Sequence, residues 1–432
     1  MDHLIYYAVP AAIAATAIVW HTRSKARHYA ANAAALKEAA EAGLTEPPTL
    51  HPVLDLSACM GSGACARACP EHALGIIKGK AVLINAAHCI GHGACATACP
   101  VGAIKLVFGT ARRGIEIPKV NPNFETNVPG MYIAGELGGM GLIRKAVEQG
   151  KQAMATIAKL PRKDDAEYDV VIVGAGPAGI TASLAAKEKG LRYVTIEQED
   201  SLGGTTYHYP RNKIVMTAPM DLPLVGKIKV REISKEALMK IWLGILKEQQ
   251  LNIRFNERMV DIVSEDGRFL LHSSKGSYKT AVVLLAIGRR GTPRKLGVEG
   301  EEHPKVVYRL IEPDQYRDSH VLVVGGGDSA LEAALDIAAE PGTQVTLSYR
   351  GNAFGRVKPK NRVRIEEAKA RKEIHLMLES QVKVITPGKV VLEYGKETVE
   401  LDNHAVIVCA GGELPTPFLK KMGIAVEAHY GE

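Results

Sequence analysis

The chain has 432 residues, which at about 150 residues per domain corresponds to roughly three domains. Its 54 Lys and Arg against 47 Asp and Glu give a net charge of +7, and no basic stripe with interleaved aromatics accompanies that excess, which argues against a dedicated nucleic-acid binder. With 46% hydrophobic and 23% charged residues the composition is globular, and 42 glycines beside 5% aromatics point to an α/β protein rather than a β-sandwich.

Residues 4–20 (LIYYAVPAAIAATAIVW) carry no charge. At ~1.5 Å per residue they reach about 25 Å, short but sufficient for a spanning helix. Tyr6 and Tyr7 at one end and Trp20 at the other suit the headgroup level, and Arg23, Lys25 and Arg27 follow while only Asp2 precedes. The expectation is a single-pass anchor over residues 1–22 in a cell inner membrane, with the body of the chain cytoplasmic. A cleaved signal peptide is the rival, and it lacks its basic leading region. A buried core helix is the bland alternative, since alanine is only weakly apolar. Residues 23–50 are rich in Ala, Lys and Glu until Gly43 and Pro47-Pro48, and read as a helical linker.

Six of the seven cysteines lie between Cys59 and Cys99, a clustering that argues for metal ligation in a reducing compartment. No C-x-x-C occurs, which removes zinc-knuckle and dithiol-exchange chemistry. Residues 51–108 contain an internal repeat with a period of 30. Cys59-Met-Gly-Ser62-Gly-Ala-Cys65-x3-Cys69-Pro70 is echoed by Cys89-Ile-Gly-His92-Gly-Ala-Cys95-x3-Cys99-Pro100. This resembles the bacterial two-cluster ferredoxin, whose run reads C-x2-C-x2-C-x3-C-P and whose fourth cysteine crosses to the other cluster. The resemblance implies that Cys59, Cys65 and Cys99 hold one iron–sulfur cluster and that Cys89, Cys95 and Cys69 hold the other. Ser62 and His92 depart from the pattern by replacing cysteine. Three outcomes stay open: these side chains complete 4Fe–4S cubanes, the unsupported iron is lost to leave 3Fe–4S centres, or the module is a cluster-free remnant. A non-thiolate ligand would raise the potential, as histidine does at Rieske centres.

Residues 168–197 read as a strand entering a helix through Gly174-Ala-Gly176-Pro-Ala-Gly179, then a second strand ending in Glu197. With those flanks the glycine pattern is a strong dinucleotide signal: the loop approaches a pyrophosphate at a helix N-terminus and the acid binds the ribose. Gly203-Gly204-Thr205 follows, as in many flavin enzymes. A second unit begins at 320, with Gly325-Gly326-Gly327-Asp-Ser329-Ala330 after its strand. The offset that gives Glu197 in the first unit lands here on Ser348, with Arg350 and Arg356 beyond. A missing acid with nearby arginines favours NADP over NAD; a solvated basic face is the alternative.

The tandem folds resemble the thioredoxin-reductase-like flavoproteins over roughly 300 residues, by extension of the same motif reading. The resemblance implies FAD in the first unit and NAD(P)H in the second. It also implies that the FAD domain is closed by a T-x-V-P-G-x-Y-x-A-G-D segment at the carboxyl end. In this sequence the segment comes early, as Thr126-Asn-Val-Pro-Gly130-Met-Tyr-Ile-Ala-Gly135-Glu136, so the order reads as circularly permuted, with Glu136 in place of Asp. His208 is the flavin-proximal candidate, and Cys409 reads as core.

The expected fold class is α/β, with two Rossmann-like dinucleotide-binding domains, a small α+β ferredoxin-like domain and an amino-terminal transmembrane helix. The expected boundaries are 51–108 for the ferredoxin module, 109–160 for the permuted closing segment, 161–302 for the FAD domain, 303–410 for the NAD(P) domain and 411–432 for the return to the FAD domain. The expected function is a membrane-anchored oxidoreductase that passes electrons from NAD(P)H through FAD and two clusters to a redox protein, quinone or cytochrome. The reverse direction stays open. So do a flavin-only reductase of a small molecule and a redox or iron sensor, and dimers recur in the resembled family.

Overall fold

The computed structural model describes all residues except 1, 42–44, 48–49, 90, 92, 112–113, 140, 163–164, 210–212, 218, 231, 266, 290, 311, 355–356, 358 and 432, and it leaves out the side chains of 2–11, 216, 265, 292 and 359. Two compact units divide the chain: Met1–Arg113 with Tyr430–Glu432, and Gly114–His429.

The first unit starts with one continuous helix, α1 (Asp2–Glu41). Among the described residues no helix is long and apolar enough to cross a membrane. The spanning segment expected at 1–22 therefore has no support in the structure; the run owes much of its length to weakly apolar alanine, and the side chains of its first half lie outside the described residues. The stretch read as a helical linker is helical through Glu41 and touches the repeat that follows. Asn32 Nδ2 donates to the Ile76 carbonyl at 2.9 Å, and Ala39 is buried.

The rest of this unit is a doubled motif. β1 (His51–Leu54) pairs antiparallel with β4 (Ile104–Val107), and β2 (Leu74–Ile77) with β3 (Lys80–Leu83). Between them lie two short helices, α2 (Ala64–Ala68) and α3 (Ala94–Thr97), each entered through a left-handed glycine, Gly63 and Gly93. Cys65 and Cys95 are buried with Leu74 and Ala81, so thiols form part of the core itself.

The second unit carries two sheets built around parallel strands, the first extended by the antiparallel strands Arg268–Ser273 and Met259–Glu265. In the first, β7 (Tyr168–Val173) lies between β8 (Tyr193–Ile196) and the strand Ser277–Leu285. On the other side of Ser277–Leu285, at its carboxyl end, runs β6 (Met131–Ile133), with Val283, Leu284 and Leu285 opposite Met131, Tyr132 and Ile133. The early segment thus completes a sheet whose other strands come later in the chain. After β6 comes α4 (Ile143–Ile157), which buries Ala146, Val147, Gly150, Ala153, Met154 and Ile157, the spacing of one helix face. That face crosses α5 (Pro177–Glu188) at close range: a Cβ on Gly150 would stand 2.3 Å from the Ala178 carbonyl oxygen. β5 (Ile115–Pro118) pairs antiparallel with the last strand, Val426–His429. The second layer is a five-stranded sheet centred on His320–Val324, with Gln344–Tyr349 and Ala405–Val408 as its parallel neighbours.

The helix crossing yields a test. Gly150→Val is expected to cost about 1–3 kcal/mol through overpacking. Gly244→Ala, with nothing within 4 Å of the added carbon, is expected to gain about 0.5–1 kcal/mol. Thermal unfolding of the full chain checks both.

Candidate functional site

Two cavities in the ferredoxin-like unit each gather three cysteines, one set drawn from both halves of the repeat in each case. The first is lined by Cys59, Cys65 and Cys99 together with Ser62 and Met60. The second is lined by Cys69, Cys89 and Cys95, with buried His51 and with Glu71. These are the two crossed sets that the ferredoxin resemblance implies. Among the described residues no three His, Cys, Asp or Glu side chains converge on a single-ion site. A cluster asks for something else, since each of its thiolates binds a different iron. Ser62 is exposed at the mouth of the first cavity, and its Oγ lies 3.4 Å from the Ala64 N–H. His92 lies outside the described residues.

The electrostatics of the thiols differ between sites. Backbone N–H groups of Ala81 and Gly61 hold the Cys59 thiol below its ordinary range. The Ala103 N–H donates to Cys99 Sγ at 3.3 Å. Burial pushes Cys65 and Cys89 up, and Cys95 up to about 11. Ligation requires thiolates, so metal loading is coupled to loss of the thiol protons. The donor chemistry, three thiols around each cavity, fits an iron–sulfur cluster in both places. His51, Glu71 and Met60 were not singled out from the sequence. Their only signal there is proximity to the repeat.

In the second unit the carboxyl ends of parallel strands form one edge, the place where open α/β sheets take their ligands. The loop Gly174–Gly179 leaves β7 there and enters α5, with Gly176 as N-cap residue. Gly135 and Glu136 leave β6 at the same edge, and a Cβ on Gly135 would stand 3.0 Å from Ala178 Cβ. Gln149 Oε1 accepts the Gly135 N–H at 2.8 Å, so α4 braces the turn. Gly203 and Gly204, with Thr205 in the short helix that follows, close on the glycine loop; a Cβ on Gly204 would lie 3.1 Å from Gly176 Cα. Glu197 is buried, and its carboxylate accepts from the Ala175 N–H at 2.6 Å and the Glu199 N–H at 3.0 Å. Burial holds this carboxyl above its ordinary range, while those N–H groups pull it back down. Two apposed backbone loops and a buried acid beside them fit the pyrophosphate and ribose of FAD.

His208 stands in an ion network. Arg309 Nη1 lies 2.5 Å from its Nδ1, and Glu199 Oε1 lies 3.4 Å from its Nε2. The arginine donates, so Nδ1 accepts. Sequence reasoning missed this because Arg309 is 101 positions away.

The second glycine loop follows His320–Val324. Gly325 opens it, Gly327 caps the helix Asp328–Ala338, and Ser329 and Ala330 form that helix's first turn. Arg350 is exposed at the end of the next strand, and Arg356 lies outside the described residues. Cys409 packs against the core of this layer.

Two glycine loops at two sheet edges, in one chain with a module of paired three-cysteine cavities, define a flavin- and pyridine-nucleotide-dependent oxidoreductase carrying a ferredoxin-like unit. The chain belongs to the pyridine nucleotide-disulphide oxidoreductase family, whose model matches residues 171–430, and residues 51–100 match the 4Fe-4S dicluster domain. It is 27% identical over 267 residues to the Bacilliredoxin reductase Bdr of Bacillus subtilis (strain 168), covering 60% of this chain and 82% of that one. It is 30% identical over 250 residues to a ferredoxin–NADP reductase of Ignicoccus hospitalis, covering 58% and 73%. The solved structure of the bacillithiol disulfide reductase Bdr from Staphylococcus aureus matches with a TM-score of 0.51 at 25% identity, covering 59% of this chain and 79% of that one.

The crossed arrangement of the cysteines can be tested directly. Cys69→Ala and Cys95→Ala are expected to remove iron from one and the same site, so the double variant loses no more iron than either single. Cys59→Ala combined with Cys69→Ala is expected to empty both sites. Iron and sulfide counts after anaerobic purification, with EPR of the reduced protein, check this.

Proposed function

We propose that this chain is an NAD(P)H-dependent flavoprotein that passes electrons from NAD(P)H through FAD to its own two iron–sulfur clusters, and from there to a redox protein, quinone or cytochrome. The observation that carries the reading is the pair of three-cysteine cavities in the same chain as two nucleotide loops. When bound, FAD takes an electron pair as hydride from a reduced nicotinamide and releases electrons singly to clusters that accept one at a time. The chain's own part is positional. Gly174, Gly176 and Gly179 hold the backbone open to the pyrophosphate, Glu197 reads the ribose, and Gly135 and Glu136 reach the same edge from the early segment. NADP rather than NAD is part of the proposal, supported by the missing acid at Ser348 and by exposed Arg350. Dithiol exchange is not, because the chain holds no C-x-x-C.

The early closing segment supports reading the order as permuted: β6 pairs with Ser277–Leu285, and β5 with the last strand of the chain. Location at the cytoplasmic face of an inner membrane is likewise proposed. It rests on Ile13, Ile18 and Trp20 standing exposed on α1, Trp20 at 73%, ahead of Arg23, Lys25 and Arg27. A homodimer is compatible with the reading and is not required by it.

Anaerobic stopped-flow mixing with NADPH tests the relay. Flavin absorbance is expected to bleach first, and the cluster EPR signals are expected to develop within one turnover. Steady flavin turnover with clusters that stay oxidised would defeat the proposal. The location has its own measurement: the full chain is expected in the membrane fraction, and a chain lacking residues 1–22 in the soluble fraction with its iron retained.

A further inference from the structure

The two glycine loops of this chain treat their second residue differently. In the first, the Glu197 carboxylate accepts from Ala175 N–H at 2.6 Å. In the second, Ser348 holds the equivalent offset, but it is buried and its hydroxyl lies 2.7 Å from Ser380 Oγ. The place beside the loop belongs to an aromatic ring. A Cβ built on Gly326 would stand 2.2 Å from Cε2 of Tyr349, and 2.3 Å from both Cδ2 and Cζ. Near-equal distances to three adjacent ring carbons mean that the ring lays its face, not its edge, over the glycine. A Cβ on Gly351 would meet Cε1 of the same ring at 2.7 Å and its Oη at 3.0 Å. Buried Phe354 lies nearly parallel to it, with centroids 5.5 Å apart and planes at 14°. The ring is therefore clamped by two side-chain-free positions and one aromatic neighbour. Among the described residues no hydrogen bond engages its Oη.

Tyr349 ends the strand Gln344–Tyr349, whose neighbour His320–Val324 leads into the loop. The ring thus stands at the carboxyl edge, where the adenosine half of a dinucleotide lies. A carboxylate in that place accepts from both ribose hydroxyls. A phenol on a clamped ring offers a donor to an anionic oxygen, and Arg350 is exposed one residue on. We infer that Tyr349 sets the nucleotide specificity of the second unit: its ring fills the space of the diol-reading acid, and its Oη donates to the 2′-phosphate of NADP(H). This rests on the reading above that residues 320–350 form the nicotinamide nucleotide unit.

Calorimetric titration of the full-length flavoprotein with 2′,5′-ADP and with 5′-AMP tests it without reference to turnover. Tyr349→Phe keeps the clamp and removes only Oη, so 2′,5′-ADP is expected to bind about tenfold more weakly while 5′-AMP is unchanged. Gly326→Ala drives a methyl into the ring and is expected to weaken both ligands, with the flavin spectrum intact as a check on folding. An unchanged ratio of the two affinities in Tyr349→Phe would overturn the inference while leaving the nucleotide unit in place. A wild-type protein that bound neither ligand would overturn the inference together with the reading it rests on.

Discussion

The parallel pairing of Met131–Ile133 with Val283–Leu285 is the constraint on which the flavin half of this protein depends. Without it, Ser277–Leu285 would end with an unpaired edge at its carboxyl end, and the sheet beside the glycine loop would be incomplete. With it, Gly135 comes against the first turn of α5, α4 lies along that helix, and Gln149 fixes the turn. The cost is topological: a strand must return from a segment remote in sequence from its partners. The chain meets it with a segment that begins right after the ferredoxin-like module. Whatever joins that module to the flavin sheet in function is therefore joined covalently by a short stretch. The last strand, Val426–His429, lies against Ile115–Pro118, so the end of the chain also comes back to the start of this segment.

The ferredoxin-like module is governed by a different balance. Its core contains Cys65 and Cys95 among very few aliphatic side chains, so it buries little apolar surface for its size. A module built this way depends on what its thiols bind. Cluster ligation supplies the cross-links that a small core lacks, which is the reason small metallo-domains couple folding to metal. The helix α1 adds apolar contact from outside the repeat through Ala39, and Asn32 ties it to β2.

Much of this was legible in the sequence, and for reasons that can be named. The glycine loops were legible because close backbone approach permits few alternatives, and the crossed cysteine sets because the repeat is in register with the ferredoxin run. The early T-x-V-P-G-x-Y-x-A-G-E segment was legible as sheet closure for the same kind of reason. What could not be read depends on residues brought together from a distance. His208 was singled out because it follows Gly203-Gly204, and its contacts with Arg309 and Glu199 could not be read from that neighbourhood. The helical character of 23–41 was legible, whereas the bond from Asn32 to a strand carbonyl 44 positions on was not. The spanning helix was an inference from an alanine-rich run, and the described part of α1 does not carry it.

A repeat in sequence does not make two equal sites. The crossing cysteine gives each cavity one ligand from the other half, so the lining residues are drawn from different surroundings even where the runs match letter for letter. The first cavity takes backbone N–H donors to Cys59 and Cys99 and opens past exposed Met60 and Ser62. The second keeps Cys89 and Cys95 buried and adds His51 from β1 and Glu71 from the turn after α2. Donor hydrogen bonds to sulfur and solvent exposure are the levers that tune an iron–sulfur centre. Backbone N–H groups reach thiols in both cavities, Gly91 at Cys89 and Ala96 at Cys95 as Ala81 at Cys59. The two sites therefore differ in the depth of their thiols and in the side chains around them, and the sequence departures Ser62 and His92 belong to runs that are not equivalent.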